Sequence, residues 1–136
     1  MKVTVNRTAH FNAAHRLYRK DWDDDRNASV FGKCSNPNFH GHNYELTVSV
    51  TGEIDQKTGF VIDMKILKDL IYKEIETAFD HKNLNVEVKE FKDLNPTAEN
   101  IAVVIWNKLK PNLEPDLELA VTLYETPRNF VTYKGE

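Results

Sequence analysis

The chain has 136 residues, enough for one domain (1–136) with a real core and too few for two ordinary ones. Hydrophobic residues make up 40% and charged residues 29%, a globular balance, and the net charge of −3 leaves no basic footprint for nucleic acid. One cysteine excludes an internal disulfide and fits a reducing, cytoplasmic compartment, and no run approaches the about 18 apolar residues of a membrane helix.

The opening MKVTVNRTAHF alternates polar and apolar residues and lacks the unbroken apolar stretch of a signal peptide. Residues 2–16 read as a first strand, with Val3, Val5, Ala9, Phe11 and Ala13 on one parity and Arg7 interrupting. Residues 17–38 show no sustained period and carry the acidic run Asp23-Asp24-Asp25, so they read as a solvated loop. A loop of that length is mobile or functional, and a cysteine near its end favours function.

The cleanest element runs from Asn43 to Gly52, where Tyr44, Leu46, Val48 and Val50 alternate with polar residues. Extending that parity backwards reaches His42 and then His40, so a strand that long sets both imidazoles on its apolar face. Residues 53–59 are turn-like, and Phe60-Val61-Ile62 suits a short return strand. Asp63 is a plausible N-cap for a helix whose stripe, Met64, Leu67, Leu70, Ile71, Ile75, Ala78 and Phe79, ends at Asp80-His81.

A second helix is expected to open at Asn95-Pro96, to bury Ile101, Val104, Ile105 and Leu109, and to stop at Pro111. Residues 117–125 form a further strand, residues 126–129 a turn and residues 130–133 a last strand. The order predicts an α+β domain, a four-stranded antiparallel sheet with two helices on one face. Valine, leucine and aromatic residues occur at both parities in places, which suggests that the other face meets a partner surface.

The segment CSNPNFHGHN, from Cys34 to Asn43, concentrates the chain's softest side chains. His-Gly-His alone is a weak sign, since two hydrogen-bonded histidines on a half-buried strand look the same. His15 strengthens it: in phase with the apolar residues of the first strand, it meets His40 and His42 if the two strands pair. Three imidazoles suit zinc with an open fourth position, a catalytic arrangement. His10 has the opposite parity and reads as an ordinary histidine.

Cys34 is open to three readings: an inert buried thiol, a fourth ligand closing a structural site, or a reactive thiolate beside the metal. Asp80-His81 reads either as a carboxylate orienting a proton-handling imidazole or as a helix end complementing the macrodipole. Glu125 ends the apolar parity of Leu117, Leu119, Val121 and Leu123, and so sits at a solvated strand end or receives a ligand with paired N–H donors. Thr97 and Glu99 read as cap-region residues.

Taken together, AAHRL, FGKCSNPNFHGHNY, GEID, TGFVID, FDHKNLN, NPTAEN, LYET and VTYKGE resemble, in order and over nearly the whole chain, the 6-pyruvoyltetrahydropterin synthase family, which includes the 6-carboxytetrahydropterin synthases. The resemblance implies the tunnelling fold, in which trimers close their sheets into a barrel and stack in pairs as homohexamers. It implies zinc held by His15, His40 and His42, Cys34 as catalytic thiol, and Asp80 and His81 as relay partners supplied across a subunit interface. It further implies Glu125 as the pterin anchor with Thr97 and Glu99 nearby, and 7,8-dihydroneopterin triphosphate as substrate. The oxidation changes are internal to that substrate, so no redox cofactor is implied.

The family pattern usually has a second threonine where this chain has Ala98. Five residues separate Cys34 from His40, a spacing that resembles the pyruvoyl branch rather than the carboxy branch, which releases acetaldehyde as well as triphosphate. A non-catalytic zinc module, closed by Cys34 and the three histidines, is the alternative of another class. Lys33 and Arg16 are cations near the site along the chain.

Overall fold

Alternation dictates the two longest strands. The structure, a computed structural model, describes residues 1–136. It contains β1 (Lys2–His15) and β2 (His40–Glu53), paired antiparallel along their whole length so that His15 stands opposite His40 and Phe11 opposite Tyr44. The backward extension of β2 to His40 is therefore real.

Between them the expected loop is in part helical: α1 (Asp24–Phe31) is followed by a 3-10 turn, Gly32–Ser35. Asp23 caps α1 by accepting from the Arg26 amide, and Asp24 and Asp25 occupy its first turn. The acidic run is thus a helix start, favourable at the positive end of the helix dipole. Only Asn27 of α1 is buried, which is why no apolar stripe announced it.

The expected strand at residues 60–62 does not form; Asp63 caps α2 (Met64–Ile71) directly. The helix runs on through a π-helical turn (Tyr72–Glu76) into α3 (Thr77–Phe79). A two-residue strand follows, β3 (Lys82–Asn83), pairing parallel with Ala13 and Ala14 of β1, and then the short α4 (Leu84–Glu87). The second long helix, α5 (Ala98–Leu109), is capped by Thr97 rather than by Asn95, its hydroxyl accepting from the Asn100 amide at 3.2 Å. Pro111 lies in the 3-10 turn that ends it.

β4 (Glu118–Tyr124) and β5 (Phe130–Tyr133) complete a five-stranded sheet in the order β3-β1-β2-β4-β5. The four-stranded expectation missed β3, because two residues are too few to show an alternation.

The helices cover one face. Phe11, Tyr44, Leu46, Val48, Val50, Val121 and Leu123 meet Leu67, Ile71, Ile75, Phe79, Ile101 and Ile105 there, in one apolar core. Each such burial contributes about 1.5–3 kcal/mol. The opposite face does carry stray apolar residues: Tyr124 and Phe130 stack there with centroids 4.5 Å apart, and Phe130 is exposed. The rest of that face is chiefly polar, and its side chains bond across strands: Thr4 to Thr51 at 2.6 Å, Asn6 to Ser49 at 2.5 Å, Thr122 to Thr132 at 3.0 Å. No helix is long and apolar enough to cross a membrane.

Candidate metal and substrate site

β1 and β2 end the apolar face of the sheet with imidazoles. The rings of His15, His40 and His42 stand edge to face, with centroids 4.6 Å (His15–His40), 5.0 Å (His15–His42) and 4.9 Å (His40–His42) apart. One nitrogen of each, His15 Nε2, His40 Nδ1 and His42 Nε2, is buried with no hydrogen-bond partner. Orphaned interior nitrogens are costly, and three converging ones make a ready cation site. Ligand atoms of these three residues lie within 4.8 Å of one another, and neither Cys34 nor any carboxylate belongs to that cluster.

His15 is fully buried, and its Nδ1–H donates to the Pro96 carbonyl at 2.8 Å, which directs the Nε2 lone pair into the cluster. Burial lowers its pKa to about 4, partly opposed by the Pro96 carbonyl, with His40 and His42 lowering it further. His42 is likewise lowered by burial, against the opposing effect of Glu125, whose Oε1 lies 3.9 Å from His42 Nε2. The Tyr44 hydroxyl reaches within 3.3 Å of His15 Nδ1, and burial, then Glu125 and Cys34, holds that phenol neutral by pushing its pKa up. Neither Pro96 nor Tyr44 was legible as a neighbour of the cluster: one looked like a helix opening, the other like an ordinary core aromatic. Phe39, immediately before His40, has a positive φ of 66°, a strained turn into the strand.

Glu125 lies just past β4, held by its N–H to the Asn129 carbonyl at 3.0 Å. It joins the imidazole cluster to a cavity of about 540 Å³ whose walls include Leu17, Phe31, Thr97, Glu99, Glu125 and Arg128. Thr97 and Glu99 thus line this cavity as well as standing at the start of α5, and Ala98 lines it too. Leu17, Phe31 and Arg128 were not singled out by sequence. Phe31 ends α1, which shows no apolar stripe, and Leu17 and Arg128 lie outside regular elements, so none of the three carries a periodic signal.

Cys34 is half-buried in the 3-10 turn, its thiol pKa raised by burial and then by Glu125. The Asp80–His81 dyad forms elsewhere. Asp80 Oδ1 accepts the Asn12 amide at 2.9 Å, its Oδ2 lies 3.0 Å from His81 Nδ1, and the His81 amide donates to the Asn12 carbonyl at 2.6 Å. The Asn12 amide lowers the Asp80 pKa against the opposing effect of desolvation, with His81 and His10 lowering it further. His81 is 78% exposed at φ 59°, so its ring is presented outward rather than folded over the helix end. The groups acting on Cys34 and those acting on Asp80 do not overlap.

The family model for 6-pyruvoyl tetrahydropterin synthase matches residues 4–136. The chain belongs to that family. It is 47% identical to the human 6-pyruvoyl tetrahydrobiopterin synthase over 135 residues, covering 99% of this chain and 93% of that one. It is 31% identical to the 6-carboxy-5,6,7,8-tetrahydropterin synthase of Rickettsia conorii, over 95% of this chain and 98% of that one. Its structure superposes on that of the Caenorhabditis elegans 6-pyruvoyl tetrahydropterin synthase with a TM-score of 0.94 at 40% identity, covering 100% of this chain and 97% of the other.

Proposed function

We propose that this chain converts 7,8-dihydroneopterin triphosphate to 6-pyruvoyltetrahydropterin with elimination of triphosphate, holding zinc through His15, His40 and His42. What carries the reading is the convergence of three orphaned imidazole nitrogens beside a carboxylate-ended cavity, in a chain of this family. Greater identity to the pyruvoyl than to the carboxy relative, 47% against 31%, supports the product.

Glu125 accepts the paired N–H groups of the pterin ring while Leu17 and Phe31 contribute apolar walls that limit water. Bound zinc would supply a Lewis acid for the substrate's side-chain oxygens and a positive charge near the thiol. Cys34 needs such a charge, because burial and Glu125 both favour its protonated form. Once ionised, it takes a proton from the side chain of the substrate. Asp80 orients His81, and that pair, offered outward by a neighbouring subunit of a homohexamer, exchanges protons with the same side chain. Loss of triphosphate follows.

The test is incubation of the zinc-loaded protein with dihydroneopterin triphosphate and identification of the pterin formed. Release of acetaldehyde would overturn the pyruvoyl assignment in favour of the carboxy product. Cys34→Ala is expected to keep its zinc and to lose about 10²- to 10⁴-fold in kcat. Loss of zinc from that variant would instead make Cys34 a ligand of a closed structural site.

A further inference from the structure

The turn that carries Cys34 is short, and its fastenings come from one place. Gly32 enters it with a left-handed φ of 60°, and the buried Ser35 closes it through Oγ to the Gly32 carbonyl at 3.0 Å. Leu17 donates its amide to the Cys34 carbonyl at 2.8 Å, and Arg16 donates Nε–H to the Ser35 carbonyl at 2.7 Å. Both donors directly follow His15 in the chain.

Arg16 is itself gripped. Its amide donates to Asn85 Oδ1 at 2.8 Å, and Asn85 Nδ2 donates back to its carbonyl at 2.9 Å. Its guanidinium lies over the Tyr18 ring, 3.9 Å from the centroid, and forms no ion pair. A planar group stacked on an aromatic ring and bonded through Nε has a fixed direction, which a lysine ammonium cannot reproduce. Asn85 lies in α4, on the same short segment as Asp80 and His81, and the function described above gives it no part.

We propose that Arg16, held by Asn85 and Tyr18, is a positioning residue that sets the Cys34 thiol relative to the ligand nitrogens. This rests on the reading of Cys34 as the catalytic thiol. Misplacing a reacting group by about 1 Å costs on the order of 10²-fold in rate, so a single bond to the turn that carries the thiol has leverage.

The experiment compares Arg16→Ala, Arg16→Lys and Asn85→Ala in the zinc-loaded protein. It measures turnover of dihydroneopterin triphosphate, zinc content, and the rate at which iodoacetamide alkylates Cys34, the chain's one cysteine. For Arg16→Ala, kcat is expected about 10- to 100-fold lower with KM within about threefold, zinc retained, and alkylation several-fold faster. Arg16→Lys should fall between it and the unsubstituted protein, and Asn85→Ala should shift kcat and alkylation the same way by less.

A raised KM at unchanged kcat would overturn the proposal and make Arg16 a binder of the anionic substrate. Loss of zinc in parallel with kcat would overturn it by showing that Arg16 acts through His15. Unchanged alkylation and kcat would also overturn it. Should Arg16→Ala not fold, Asn85→Ala, with Arg16 in place, carries the same expectations. Cys34→Ala separates the two ideas: full activity in that variant defeats the thiol reading. An inactive Cys34→Ala beside a normal Arg16→Ala defeats only the positioning role.

Discussion

His15 shows how a single side chain couples the site to the stability of the fold. Its pKa is lowered by burial to about 4, below the value of about 6.5 expected when unfolded. Between those values the unfolded chain binds the extra proton and the folded one does not. The stabilisation is therefore full above about pH 6.5 and is lost as pH falls towards 4. Metal-free protein is expected to lose on the order of 2–3 kcal/mol of stability across that window, read from denaturant midpoints at a series of pH values. His15→Phe should flatten that dependence. A metal ion would compete with the same proton at Nε2, so acid should release it over the same range.

At the scale of elements, α5 does two jobs at one end. Thr97 caps its first turn while lining the cavity, and the neighbouring Pro96 carbonyl orients His15. Thr97→Ala should cost about 1 kcal/mol, a fall in melting temperature of roughly 3–4 °C by calorimetry, and weaken zinc binding as the Pro96 carbonyl loosens. Unchanged zinc affinity would show that the carbonyl is held without the cap. The two elements that carry the ligands were legible in the sequence because strict alternation places His40 and His42 in phase with Tyr44, Leu46 and Val48. By contrast, α1 buries only Asn27, and β3 has two residues, so neither prints a period. The cap signal at Asp23-Asp24-Asp25 is present, but without an apolar stripe behind it an acidic run looks the same as a solvated loop. Arg16 and Asn85 act through side-chain bonds to backbone groups far away in sequence, and Pro96 through its own carbonyl, contacts that no periodic pattern announces.

The whole molecule has an unfinished look at its edges. β3 pairs only with Ala13 and Ala14, so most of β1 keeps an open edge, and the four-residue β5 is the other edge of the sheet. The thiol and the outward-facing dyad are held on different segments, the dyad on Asn12 of β1 and the thiol's turn on Arg16 and Leu17 just past the end of that strand. On the proposed reading each relay serves the thiol of a neighbouring chain. Mixing Cys34→Ala with His81→Ala under conditions of subunit exchange should therefore restore part of the activity that each lacks alone. Sedimentation as a monomer, or no recovery in verified mixed oligomers, would remove the shared site.

The π-helical turn at Tyr72–Glu76 has a consequence for chain length. Leu67, Ile71, Ile75 and Phe79 are all buried at intervals of four, a spacing that would drift around a regular helix by about 40° per step. The wider turn absorbs that drift, as an inserted residue would. A chain one residue shorter here would regain a regular helix with the residues beyond it on the same face, so Phe79 would stay in the core and Asp80 would keep its bond to Asn12. The turn at Tyr72–Glu76 is thus the place where this helix can change length by one residue while the core stripe and the Asp80 contact both keep their register.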